Sequence, residues 1–183
     1  MKESPILYNG PMVRAILDDK KLMTRRPIKP QPRRDLVFDP ESSTWEDTFG
    51  HRWKCPYGTI GDHLWVRETW QKEDGCLFYA ADNYAQVGKW RPSIFMPRFA
   101  SRIILEITNV RVERVQEITE GDARKEGITD GGCLNCGEHE PCGCNNPRPD
   151  ARDVFIWLWD SIYKDEYSWI YNPFVWVIEF KRM

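Results

Sequence analysis

The segment Phe174-Val175-Trp176-Val177-Ile178-Glu179-Phe180 contains a single polar residue. A run like this has no alternation to mark a solvent face, so it predicts a strand at the centre of a sheet. Arg102 to Val115 is the clearest other strand, with Ile103, Leu105, Ile107, Val110, Val112 and Val115 apolar. Its alternation changes phase near Thr108-Asn109, and a bulge or turn there would restore one buried face.

Shorter elements fit around these two. Pro11 suits a first helical turn, and Met12, Val13, Ile16 and Leu17 follow at helical spacing, so a helix is predicted that weakens near Asp18-Asp19. Gly61-Asp62 reads as a turn into the strand His63–Glu68, with another short strand at Leu77–Ala80. Residues 35–60 look irregular, and Trp90 to Phe99 reads as an ordered loop. Thr119 can cap a short helix through Glu126, with Asp122 in a weak capping box and Gly127 as its stop. A last helix, capped by Asp153, carries Val154, Phe155, Leu158, Trp159 and Ile162 on one face. Trp65, Trp157, Trp159 and Trp176 are expected in the core. Helices and strands in this order give an α+β class with a mixed or curled sheet.

The 183 residues suit one domain, 1–183, with insertions. Apolar runs fall short of the ~20 residues of a membrane span, and Ile6-Leu7-Tyr8 is no signal-peptide core. The expectation is a soluble, cytoplasmic protein with no membrane partner. The net charge of −2 hides an asymmetry: residues 1–34 carry +6 and residues 35–183 carry −8. Much of the positive excess lies in Arg25 to Arg34, where three prolines predict an extended, solvated ribbon. It could track a phosphate backbone or lie as a linker over the protein's own acidic surface.

Four of the six cysteines fall at Cys133, Cys136, Cys142 and Cys144. Tetrahedral thiolate ligation suits zinc, and four protein donors leave no open position, so a structural zinc ion is expected. His139 could replace one thiolate, while a redox pair or free thiols are the other readings. Cys55 and Cys76 are expected to be buried.

Ile16 to Arg26 resembles the opening signature of the ASCH family, within the PUA-like fold: a helix, then Gly-x-Lys-Thr-x-Thr-x-Arg, then a strand. Gly61-Asp62-His63-Leu64-Trp65-Val66 resembles that family's turn into a barrel strand. Ile118 to Ile128 resembles its short glutamate-bearing helix, and Val177 to Lys181 its closing strand. The sequence as a whole resembles a tailed-phage or prophage branch. The resemblance implies a PUA-like mixed β-barrel with flanking helices, carrying insertions at about 27–60, 71–101 and 129–152, the last a Cys-rich loop.

One bacterial branch of the family is an amidohydrolase that deacetylates N4-acetylcytidine without a catalytic cofactor. By motif, its lysine, threonine and glutamate are Lys21, Thr24 and Glu126. Other members are ribonucleases or RNA binders. The implied partner is therefore RNA, single-stranded nucleic acid or a nucleoside. A host protein met through the zinc loop is a further partner class. Asp19 departs from the family's glycine and Leu22 from its threonine.

The residue types fit such chemistry. A threonine hydroxyl attacks an acyl carbon once a base takes its proton, and a lysine can do so when burial or nearby cations lower its pKa. A glutamate could then carry a proton to the leaving amine. Two readings stand beside this one: Lys21 and Arg26 hold phosphate without turnover, or Lys21 is a solvated charge and Thr24 a turn residue. Arg25, Arg26, Glu68, Trp70 and Tyr79 are the candidate substrate contacts, the aromatics by base stacking and Glu68 by reading a base edge.

Overall fold

The structure, a computed structural model, describes residues 1–82, 88–129, 133, 135, 136, 138, 142–145 and 150–183. His139, which could replace one thiolate, lies outside the described residues. In chain order the strands are β1 (Glu3–Leu7), β2 (Met23–Pro27), β3 (Val37–Asp39), β4 (Thr44–Glu46) and β5 (Arg52–Trp53). They continue with β6 (His63–Arg67), β7 (Trp70–Glu73), β8 (Cys76–Tyr79), β9 (Ile104–Arg114) and β10 (Phe174–Arg182). The α-helices are α1 (Gly10–Leu17), α2 (Glu120–Lys125) and α3 (Ala151–Ile162). None is long and apolar enough to cross a membrane.

The main sheet runs β1-β6-β9-β10-β2, with β1 parallel to β6 and the other pairs antiparallel. As its composition demands, β10 is internal: Phe174, Trp176, Ile178 and Phe180 enter one core while Val175 and Val177 enter another. Each such apolar side chain contributes about 1.5–3 kcal/mol by leaving water, which is why the sheet is covered on both faces. The first core packs α1 and the β3-β4-β5 ribbon, and the second packs α2 and α3. The expected phase change in β9 is a bulge. Glu179 pairs with Asn109 and Phe180 with Ile107, leaving Thr108 as the extra residue. Thr119 and Asn9 cap α2 and α1 by accepting from Asp122 and Met12.

Several expectations change. The sheet is mixed as expected but open: no ladder joins β1 to β2 among the described residues, so it is not a closed barrel. Residues 35–60 hold a three-stranded sheet, and Trp45 packs edge-on against Trp176 with ring centroids 4.8 Å apart. Asp150, not Asp153, caps α3, so that helix starts earlier and turns Trp157 to solvent. Trp65 is half-buried beneath Arg67, and Cys76 is exposed whereas Cys55 is buried. The basic ribbon is not solvated at its start, since Arg25, Pro27 and Ile28 are buried in and beside β2.

The turn after α2 depends on a glycine. Gly127 has φ +82°, and a Cβ there would lie 2.9 Å from Ala15 Cβ and 3.0 Å from Lys21 Cβ. Gly61 has a similar φ of +84° with nothing within 4 Å. Gly61→Ala is therefore expected to cost about 1–2 kcal/mol from backbone strain alone. Gly127→Ala should cost a further ~1–3 kcal/mol from overpacking. Urea denaturation of the two variants measures the difference.

Candidate functional site

The open edges of the sheet face each other across a gap. In place of a ladder, the Arg26 guanidinium on β2 donates from Nη2 to the Leu7 carbonyl at the end of β1, at 2.8 Å. The gap is a cavity of about 90 Å³. Tyr8, Asn9 and Met12 wall one side, and Lys21, Thr24, Arg25, Arg26 and Glu126 another. The α3 side chains Phe155, Leu158, Trp159, Ile162 and Tyr163 close it with an apolar and aromatic face.

Local backbone chemistry aims Lys21 into this space. Helix α1 ends with Asp19 in the left-handed conformation, φ +54°. Aspartate is among the few non-glycine residues that tolerate it, so the turn forms without a glycine at this position. The turn lets the Lys20 and Lys21 amides both donate to the Ala15 carbonyl, at 2.8 and 2.9 Å. Lys21 then bridges antiparallel to Glu126, and the Leu22 amide donates to the Lys125 carbonyl at 2.7 Å. Gly127, unable to clash, lets the two segments meet.

Lys21, Thr24 and Glu126 are thus brought together, all buried. Lys21 Nζ donates to Glu126 Oε2 at 2.8 Å and to the Glu126 backbone carbonyl at 2.7 Å. It also lies 5.5 Å from the centre of the Tyr8 ring. Burial lowers the Lys21 pKa below that of an ordinary lysine, against the pull of the Glu126 carboxylate, and Arg26 and Arg25 add to the lowering. Burial likewise raises the Tyr8 phenol. Its hydroxyl faces Thr24 and Arg26 without a hydrogen bond of good geometry.

Arg25 behaves differently from its neighbour Arg26. Its side chain is fully buried, and Nη2 reaches Asp122 at 2.7 Å and Glu113 at 3.0 Å, while Nη1 lies 3.5 Å from Glu126 Oε1. Arg111 pairs with the same Asp122 and Glu113 and also with Glu179. Arg25 was expected to contact substrate, but its two Nη atoms turn to the Asp122, Glu113 and Glu126 carboxylates, and it acts as a strut. Arg26 has no carboxylate partner among the described residues; it contacts Leu7 O, Tyr163 Oη at 3.4 Å and the Tyr8 ring at 5.4 Å.

Glu68, Trp70 and Tyr79 do not line this cavity. Glu68 is held at 2.9 and 3.1 Å by Arg102, which also pairs with Asp82. Trp70 packs with Met96 and Ala100, and Tyr79 donates to the Ala100 carbonyl at 2.9 Å. Trp70 and Tyr79 belong to a satellite core with Leu77, Met96 and Ala100. The residues that sequence reasoning missed are Tyr8 and the α3 aromatics. Nothing in their spacing signals that β1 ends opposite β2.

Among the described residues, six buried side-chain N or O atoms lack a hydrogen-bond partner. Four of them, Tyr8 Oη, Arg25 Nε, Arg26 Nε and Glu126 Oε1, belong to side chains lining this one cavity. Unpaired buried polar atoms each cost about 1–3 kcal/mol, so their concentration here marks a place prepared for a polar guest.

Away from the cavity, the sulfurs of Cys133, Cys136, Cys142 and Cys144 lie within 4.8 Å of one another. Four thiolates on a tetrahedral ion at ~2.3 Å would sit ~3.8 Å apart, so the donor set fits a metal ion. The Asn135 amide donates to Cys133 Sγ at 3.4 Å, orienting that sulfur. A hydrogen bond with the Cys136 side chain, then burial, push the Cys144 thiol up to about 12.

No family model and no curated protein matches the chain. A crystal structure of an ASCH domain from Lactobacillus crispatus is similar to it at 12% identity, with a TM-score of 0.41, over 99% of this chain and 79% of the other.

Glu126→Gln leaves the buried Lys21 ammonium without its carboxylate and is expected to destabilise the fold by about 3–5 kcal/mol. Adding Lys21→Met should recover part of that loss, because the remaining groups are then neutral. Chemical denaturation of the single and double variants supplies the cycle.

Proposed function

We propose that the cavity hydrolyses an amide on a nucleobase, in the manner of the N4-acetylcytidine amidohydrolases that the Lys21, Thr24 and Glu126 motifs resemble. The observation that carries this reading is the meeting of a buried amine, a hydroxyl and a carboxylate in one small polar-lined hollow. A volume of about 90 Å³ suits an acyl group and the edge of one ring.

Glu126 accepts two hydrogen bonds from Lys21 Nζ, through its carboxylate and its backbone carbonyl. An amine has three such positions, so the third, a lone pair when Lys21 is neutral, remains to take the Thr24 proton. Thr24 Oγ1 then attacks the acyl carbon. The carbonyl oxygen becomes an oxyanion, met by Tyr8 Oη–H and Arg26 Nε–H, two of the three donors without an acceptor among the side chains lining the cavity. Collapse breaks the C–N bond, and the Lys21 ammonium returns its proton to the leaving nitrogen. Water, deprotonated by Lys21 in turn, attacks the acyl carbon, and the Lys21 ammonium returns that proton to Thr24 Oγ1 as the C–O bond breaks and the acid leaves. In this scheme Glu126 orients the lysine and is not the proton carrier that its residue type first suggests.

One observation favours the second reading, a nucleic-acid grip without turnover: Lys21 is ion-paired in the resting site. Acetate release from N4-acetylcytidine separates the two, and cleavage of labelled RNA tests a ribonuclease in the same assay. Thr24→Ala and Lys21→Met are each expected to lower kcat/KM by at least ~100-fold, as loss of a nucleophile or base does. The rate should rise with pH as Lys21 loses its proton, with a midpoint below the ~10.4 of a free lysine. Binding that persists without acetate release would favour the grip.

The cysteine cluster is proposed to hold structural zinc. Metal analysis of the purified protein should find one zinc ion per chain, and Cys133→Ser should lower that content. Full zinc retention in a Cys133→Ser/Cys142→Ser variant would remove the assignment.

A further inference from the structure

A second, larger depression, of about 340 Å³, adjoins the cavity and shares Arg26 and Tyr163 with it as lining. The outer depression is lined by Lys29 and Lys54 as well as Arg26, and by the rings of Trp53 and Tyr57. No carboxylate lines it. It is built partly by residues 53–57, next to the small β3-β4-β5 sheet of the 27–60 insertion.

The charge on Arg26 is what makes this groove informative. Every other buried cation around the cavity is neutralised: Lys21 by Glu126, and Arg25 by Asp122 and Glu113. Arg26 has only neutral oxygens, its Nε is buried without a partner, and among the described residues no ion pair reaches Lys54 or Lys29. Lys29 instead rests 4.7 Å from the centre of the Tyr167 ring. A mostly buried guanidinium without a counter-charge is costly unless an anion completes it. Arginine beside lysines and aromatic faces suits a phosphate attached to a base or sugar.

We propose that this groove is a phosphate subsite, so that the ligand of the adjoining cavity is a nucleotide and not a free nucleoside. The assignment rests on the nucleobase reading of that cavity but not on its turnover. A base edge enters the small hollow, and the phosphate lies between Arg26, Lys29 and Lys54, with Tyr57 and Trp53 against the sugar.

Tryptophan fluorescence or calorimetric titration tests this with cytidine, cytidine 5′- and 3′-monophosphate, a short oligocytidylate and inorganic phosphate. At least one monophosphate or the oligonucleotide should bind about tenfold or more tighter than cytidine. For an oligonucleotide, log K should fall by ~0.7 per phosphate contact for each tenfold rise in salt. Lys29→Gln/Lys54→Gln should bring the phosphorylated ligand down to the level of cytidine while the melting temperature holds. An oligonucleotide that exceeds both monophosphates assigns a polymer, and equality assigns a free nucleotide; both support the subsite. Equal binding of cytidine and every phosphorylated ligand would overturn it, as would an advantage that survives the double variant. If no acetate is released but the phosphate advantage appears, the hydrolytic reading fails and the subsite stands.

Discussion

Lys21 Nζ and the Glu126 carboxylate meet 2.8 Å apart where water scarcely reaches. Removing two charges from water is costly, and the pairing offsets that cost only if its geometry is held closely. Much of the surrounding structure can be understood as what holds it. Asp19 turns the chain at the end of α1, and Gly127 turns it after α2. The Leu22 amide ties to the Lys125 carbonyl on one side, and the Phe180 amide ties to the Leu22 carbonyl on the other. The pair is therefore anchored to β10, an internal strand of the main sheet.

The open sheet explains why a cavity exists at that place. A ladder between β1 and β2 would fill the gap with backbone, whereas a single side-chain bond from Arg26 to Leu7 leaves room for a guest. The cost is a set of polar atoms without partners, gathered around the opening. Two adjacent arginines divide the work: Arg25 points into carboxylates and stiffens the wall, while Arg26 points along the opening with no carboxylate partner among the described residues. Neighbouring residues on a strand face opposite sides, so one sequence step separates a strut from a side chain without a carboxylate partner among the described residues.

Much of the frame was legible in the residues. The near-continuous apolarity of Phe174–Phe180 implied a central strand, and the phase change in β9 implied a bulge or a turn, of which the structure has the bulge, at Thr108. The Lys21, Thr24 and Glu126 grouping came from motif resemblance, and the convergence of these distant segments follows from an antiparallel bridge that local pattern does not encode. Arg25 looked like a surface cation because the carboxylates that bury it, at positions 113 and 122, are far away in sequence. Glu68 and Tyr79 looked available for the same reason, with Arg102 as the hidden partner. The α3 cap moved to Asp150 because either aspartate satisfies the local rule, and packing of Ala151, Phe155 and Trp159 selects between them.

The central claim is that burial outweighs the Glu126 charge and leaves Lys21 able to be a neutral amine. Nitrogen-15 NMR titration of the lysine Nζ, with the Lys21 resonance assigned by comparison with Lys21→Met, reads this directly. The account predicts a Lys21 midpoint below those of the exposed lysines in the same protein. A midpoint at or above theirs would mean that Glu126 holds the proton on Lys21, and the amine could not serve as a base.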